Sequence, residues 1–147
     1  MTVRLAGPSR RRGLPGVDRR LLRSRAVRLL RELSLSRAEL SIRLSDDEEI
    51  AELNETWRGR ASPTDVLAFP LLEGDHVERR GALLGDVVIG LETAVRQARS
   101  RRRSLDEEVG RLLVHGTLHL IGHDHVRADE ARRMRSQERR LWRAIRE

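Results

Sequence analysis

From Val17 onward, Leu21, Leu22, Val27, Leu29, Leu30 and Leu33 recur at the spacing of one helical face, which predicts a first helix. The period then changes. In ELSIRLS, residues 39–45, Leu40, Ile42 and Leu44 alternate with polar residues, as in a strand with one buried face. SDDEEIAELNETW follows with Ser45 ahead of a run of acids, predicting a helix start with Ser45 as N-cap. PTDVLAFPLL (63–72) is a short apolar run bracketed by prolines and reads as a second strand, and ALLGDVVIG (82–90) reads as a third. LETAVRQARSRRR (91–103) is a helix with a basic end. Ser104 and Glu107 form a capping box for the next helix, which runs through Val109, Leu112, Leu113, Leu118 and Leu120 and ends at Gly122. ADEARRMRSQERRLWRAIRE (128–147) is an arginine-rich terminal helix with Met134, Leu141, Trp142 and Ile145 as its apolar contacts. The order α-β-α-β-β-α-α-α predicts an α+β (mixed α/β) fold: a single small domain over residues 17–147, a short mixed sheet flanked by helices. Residues 1–16, with Gly7, Pro8, Gly13, Pro15 and Gly16 among arginines, read as a mobile basic tail.

Composition narrows the class. The 147 residues suit one core of ordinary size. No apolar run is long enough to span a bilayer, and no apolar stretch follows the N-terminal charges, so a secretory signal is not expected. Cysteine is absent, which excludes disulfides and thiolate ligands. A cytoplasmic protein with no membrane partner is the expectation. The chain carries 30 basic residues, all arginine, against 23 acidic ones. Twelve arginines face three acids within residues 1–43, and RQARSRRR (96–103) adds five with no acid. Such clustering fits a nucleic-acid partner, and also fits a merely solvated surface. The aromatics are only Trp57, Phe69 and Trp142, so an aromatic platform for stacking bases is not expected.

HGTLHLIGHDH, residues 115–125, holds four of the five histidines. His115 and His119 are four apart on the predicted helix, so both imidazoles project from one face. Gly122 lets the chain leave the helix and return His125 to the same point. Three neutral imidazoles leave a fourth tetrahedral position for water on Zn²⁺, the arrangement of a catalytic site. His123 is the other possible third ligand. The glycine-to-histidine offset favours His125, which leaves His123 as a pocket-lining residue. Asp124 either orients an imidazole or forms the turn.

The spacing matches the metzincin protease motif H-E-x-x-H-x-x-G-x-x-H, with one substitution. Where those enzymes carry the glutamate that serves as general base, this chain has Gly116. The metal cage is kept and the peptidase base is lost.

Together with LNETWRGRASPTDVLAFP (53–70) and LGDVVIG (84–90), the histidine stretch resembles the YbeY family of bacterial ribosomal-RNA maturation endoribonucleases. The motif H-G-x-L-H-L-x-G-x-D-H matches from His115 to His125. The family's second signature matches Leu53, Asn54, Trp57 and Arg58, then Pro63 to Pro70. The resemblance covers about residues 17–146. It implies a metal-dependent endoribonuclease preferring single-stranded RNA, acting in 16S ribosomal RNA 3′-end maturation and ribosome quality control. It implies zinc on His115, His119 and His125, a functional arginine at Arg58, and as partners the 16S precursor, the small ribosomal subunit and assembly factors. Arg58 would offset charge building at phosphorus, and His123 would contact substrate. Two positions depart from the family: Ala68 replaces a usual serine, and His123 a common tyrosine. Asp65, Asp86, Asn54 and Thr64 read as residues that organise the loops.

Two rival functions remain at this point. A metalloprotease would need a replacement for the missing base. A non-catalytic ribosome-assembly factor would hold the metal structurally, with a fourth protein ligand closing the site. Sites of three imidazoles also accept nickel, cobalt or copper.

Overall fold

The computed structural model describes residues 2–7, 14, 16–70, 83–123 and 127–147. Four strands and five helices follow in the order β1 (Thr2–Ala6), α1 (Arg19–Glu32), β2 (Glu39–Ser45), α2 (Asp47–Arg58), β3 (Val66–Pro70), β4 (Leu83–Gly90), α3 (Leu91–Ser100), α4 (Leu105–Leu120) and α5 (Ala128–Ile145). The sheet order is β1-β2-β4-β3. β1 and β4 both run parallel to β2, and β3 pairs antiparallel to β4. This is the α+β arrangement expected, with a mixed sheet among helices.

One expectation is corrected. Residues 2–6, read as part of a mobile tail, form β1, with Val3 paired to Leu40 and Leu5 to Ile42. A five-residue strand set among arginines and glycines is too short to carry a clear period. Its partner is the edge of β2, which a local reading cannot see. Val3 is buried and Arg4 exposed, so the alternation is present once the register is known. Residues 8–13 and 15 lie outside the described residues.

β2 keeps its alternation: Leu40, Ile42 and Leu44 are almost fully buried. They join Val87 and Ile89 of β4 in the main core, with Leu29 and Leu30 of α1, Leu113 and Leu118 of α4, and Leu141 and Ile145 of α5. Leu67 of β3 and Val88 of β4 form a smaller cluster with Ile50 of α2. The sheet is therefore covered on both faces, and β4 is buried at Leu84, Gly85 and from Val87 to Gly90, with Asp86 partly buried between them. Its pairing with β2 shifts register where Leu83 meets Glu39 and Gly85 meets Leu40. Gly85 takes φ +141°, the conformation that admits the extra residue of a bulge.

The cap of α2 also differs from expectation. Asp46, not Ser45, accepts the Glu49 N–H at 2.8 Å, while the Ser45 hydroxyl is buried and donates to the Ile89 carbonyl at 3.2 Å. Ser45 is still in the ladder of β2, so the next residue takes the cap. Ser104 does accept the Glu107 N–H at 3.1 Å, starting α4 where expected.

Candidate metal centre and adjoining cleft

α4 presents the first two histidines. His115 and His119 lie one turn apart, with their Nε2 atoms 3.1 Å from each other. Two nitrogens held tetrahedrally by one zinc ion, each about 2.0–2.1 Å from it, stand about 3.3 Å apart. The pair is therefore pre-set at ligand spacing. On its other side, His115 Nδ1 lies 2.7 Å from Glu138 Oε1 of α5. A proton on Nδ1, donated to that carboxylate, leaves Nε2 as the lone-pair atom and fixes the ring. The Glu138 hydrogen bond raises the His115 pKa against burial, which lowers it; the charges of Glu138 and Asp65 add to the rise.

The helix then ends as glycine requires. Gly122 takes φ +98°, its N–H donates to the His119 carbonyl at 3.1 Å, and the His123 N–H donates back to Leu118 at 3.0 Å. These two bonds form a Schellman cap, reversing the chain immediately after the second histidine. Asp124 and His125 lie outside the described residues, and among the described residues no group of three donors could hold a metal. The two imidazoles, one braced by a carboxylate, are a donor set that zinc suits.

Gly116 explains why the protease base is missing. A Cβ there would stand 2.8 Å from one Val87 methyl and 3.0 Å from a Val66 methyl. The position faces the sheet, where α4 packs directly on β3 and β4. No carboxylate can be offered to the site from it.

His119 also lines an open cleft of about 460 Å³, together with Arg58, the β3 residues Val66, Leu67, Ala68 and Pro70, Gly122 and His123. Arg58 is the last residue of α2, and Gly59 in the left-handed conformation ends the helix there. Its Nη2 donates to the Ala68 carbonyl at 3.0 Å, and its guanidinium lies 5.8 Å from the Phe69 ring centroid. Ala68 contributes only its backbone carbonyl, so this contact does not depend on the side chain at that position. Asn54 Nδ2 holds the Ser62 carbonyl at 2.9 Å. Asp65 accepts from the Val66 N–H at 2.8 Å and from Gln97 Nε2 at 3.1 Å. Both organise the loop that leads from Arg58 at the end of α2 into β3.

A family model described as endoribonuclease YbeY matches residues 18–146. The chain belongs to the YbeY family. Curated relatives named endoribonuclease YbeY include one from Anaeromyxobacter sp. (strain Fw109-5), 49% identical, covering 98% of this chain and 72% of that one. Another, from Anaeromyxobacter dehalogenans, is 50% identical over 85% of this chain and 63% of its own length. One from Syntrophotalea carbinolica is 43% identical over 83% of both. Against these relatives the chain spans from under two thirds to about four fifths of their length. The solution structure of TM1509 from Thermotoga maritima superposes with a TM-score of 0.60 at 23% identity, covering 96% of this chain and 89% of that one. That likeness shows a shared fold.

Within the YbeY frame, one residue beside the site carries no local mark in the sequence, and another is marked there only as part of a motif. Glu138 sits 23 positions from its histidine on an arginine-rich helix, and nothing local marks it. Trp57 precedes Arg58 and is 65% exposed, meeting Phe69 edge-on at 6.2 Å. In the sequence it is an aromatic next to an arginine within the second motif, one of only three aromatics in the chain. Among the described residues no helix is long and apolar enough to cross a membrane.

Proposed function

We propose that this YbeY-family chain is a metal-dependent endoribonuclease that prefers single-stranded RNA. It acts in the cytoplasm, on the 16S ribosomal RNA precursor within the small ribosomal subunit and its assembly factors, in 3′-end maturation and quality control. The observation that carries the reading is the convergence of two imidazole nitrogens at 3.1 Å beside a cleft that contains an arginine.

His115, His119 and His125 would hold zinc, which supplies Lewis acidity toward water and a phosphoryl oxygen. Glu138 keeps the His115 ring turned so that Nε2 faces the site. Arg58 presents its guanidinium edge to the phosphodiester and offsets the charge that accumulates on its oxygens during attack. Its bond to the Ala68 carbonyl aims it. His123, in the same cleft, contacts the substrate. Trp57 offers one exposed ring on which an unpaired base can stack, which favours single strands. The curated relatives' name, endoribonuclease, supports the reaction class.

The test compares wild type, His119→Ala and Arg58→Ala. Metal content is measured by elemental analysis, and cleavage on a single-stranded ribosomal-RNA fragment. The expected result is zinc and cleavage in wild type, neither in His119→Ala, and zinc without cleavage in Arg58→Ala. Cleavage that persists in His119→Ala after metal is lost overturns the proposal.

A further inference from the structure

α4 borders a second cavity of about 370 Å³, walled by the α3–α4 turn, α4, α5 and Asp65 ahead of β3. Five arginines and three carboxylates line it. The carboxylates are already engaged. Glu108, fully buried, meets Arg101 at 2.6 Å and Arg103 at 3.3 Å. Glu138 braces His115, and Asp65 accepts from Val66 and Gln97. Arg111 is held by Glu107 at 2.9 Å. That leaves Arg135 and Arg139, exposed on α5 and without a carboxylate partner among the described residues. They are four apart on one helix face, so their side chains are neighbours. Two uncommitted guanidinium forks at a concave wall make a ready phosphate site.

Its position adds meaning. His115 lines this cavity and His119 lines the cleft beside Arg58, and the two rings almost touch. The histidine pair therefore stands between two cationic recesses. A chain laid across the histidines meets Arg58 on one side and the α5 arginines on the other. We propose that Arg135 and Arg139 form a backbone-phosphate site for the RNA strand, holding a phosphate that flanks the one acted on. This rests on the single-stranded RNA reading above and assigns to α5 the task of holding the strand in register.

The experiment uses the full chain and a fluorescently labelled single-stranded RNA. Binding is followed by anisotropy across a salt series, and cleavage in parallel on denaturing gels. The variants are Arg135→Gln/Arg139→Gln and the control Arg132→Gln/Arg133→Gln, which removes the same charge from exposed positions of α5 that do not line the cavity. Each phosphate contact on a single strand contributes about 0.7 to the slope of log affinity against log salt. Losing the one phosphate that the pair holds should lower that slope by about 0.7 and weaken low-salt binding several-fold, with the control close to wild type. Equal losses in both variants would mean diffuse charge and overturn the site, as would an unchanged slope in the Arg135/Arg139 variant. RNA held with the arginine-dependent slope but never cleaved would remove the nuclease reading and leave the phosphate site standing.

Discussion

Replacing Glu138 isolates what a distant carboxylate does for the histidine pair. The contact is short, 2.7 Å from Oε1 to His115 Nδ1, and both side chains are about one third exposed, so little of the fold depends on it. Glu138→Gln keeps the length and an acceptor oxygen but removes the charge, while Glu138→Ala removes both. Residues that orient a metal-bound histidine in this way are worth about 10–100-fold in metal affinity, or about 1.4–2.7 kcal/mol. A charge-assisted hydrogen bond is about twice as strong as a neutral one, so Gln should lie near the lower end and Ala near the upper. A second effect has the opposite sign. Glu138 raises the His115 pKa, and a proton on the ring competes with the metal. Removing the carboxylate relieves that competition at low pH and masks part of the loss. Zinc affinity should therefore be measured by chelator competition at rising pH and compared where it no longer changes with pH, so that orientation and basicity alone remain. The expected order is wild type, then Gln, then Ala, with thermal melting nearly unchanged. Equal zinc affinity in all three proteins would refute the claim that Glu138 sets the ligand.

Three further outcomes follow from the packing. Trp57→Ala should weaken single-stranded RNA binding by about 1–3 kcal/mol, the loss of one stacked base, with melting unaffected because the ring is exposed; anisotropy titration reads it. Gly116→Glu, which restores the protease-like motif on paper, should destabilise by more than about 3 kcal/mol, since it forces a charged side chain between α4 and the valines of the sheet; denaturant unfolding and a casein assay should show a weakened protein without peptidase activity. Val3→Ala should cost about 1.5 kcal/mol for the buried methyl groups removed, measured by urea unfolding; a mobile tail would show no change.

The periods of two and three to four along this chain determined most of its elements, because amphipathic faces are written locally. The same locality made the two helical histidines legible: a spacing of four on any helix puts two imidazoles side by side, and a glycine two residues past the helix end reverses the chain. Gly122 did what its position required, since few other residues adopt its φ of +98° without strain. The contiguous motifs 53–70 and 115–125 are legible for the same reason, since each lies within one short stretch of chain. What needed tertiary structure were the relations between distant segments. β1 exists as a strand because β2 offers an edge. Ser45 lost its cap because Ile89 on β4 takes its hydroxyl. Glu138 reaches His115 only because α5 lies along α4, and the arginines of α5 gain a shared cavity with the α3–α4 turn by the same packing. Gly116 shows both kinds of information in one residue. Its identity announced that no base follows the first histidine, and only the sheet packed 2.8 Å from its absent Cβ shows why none can.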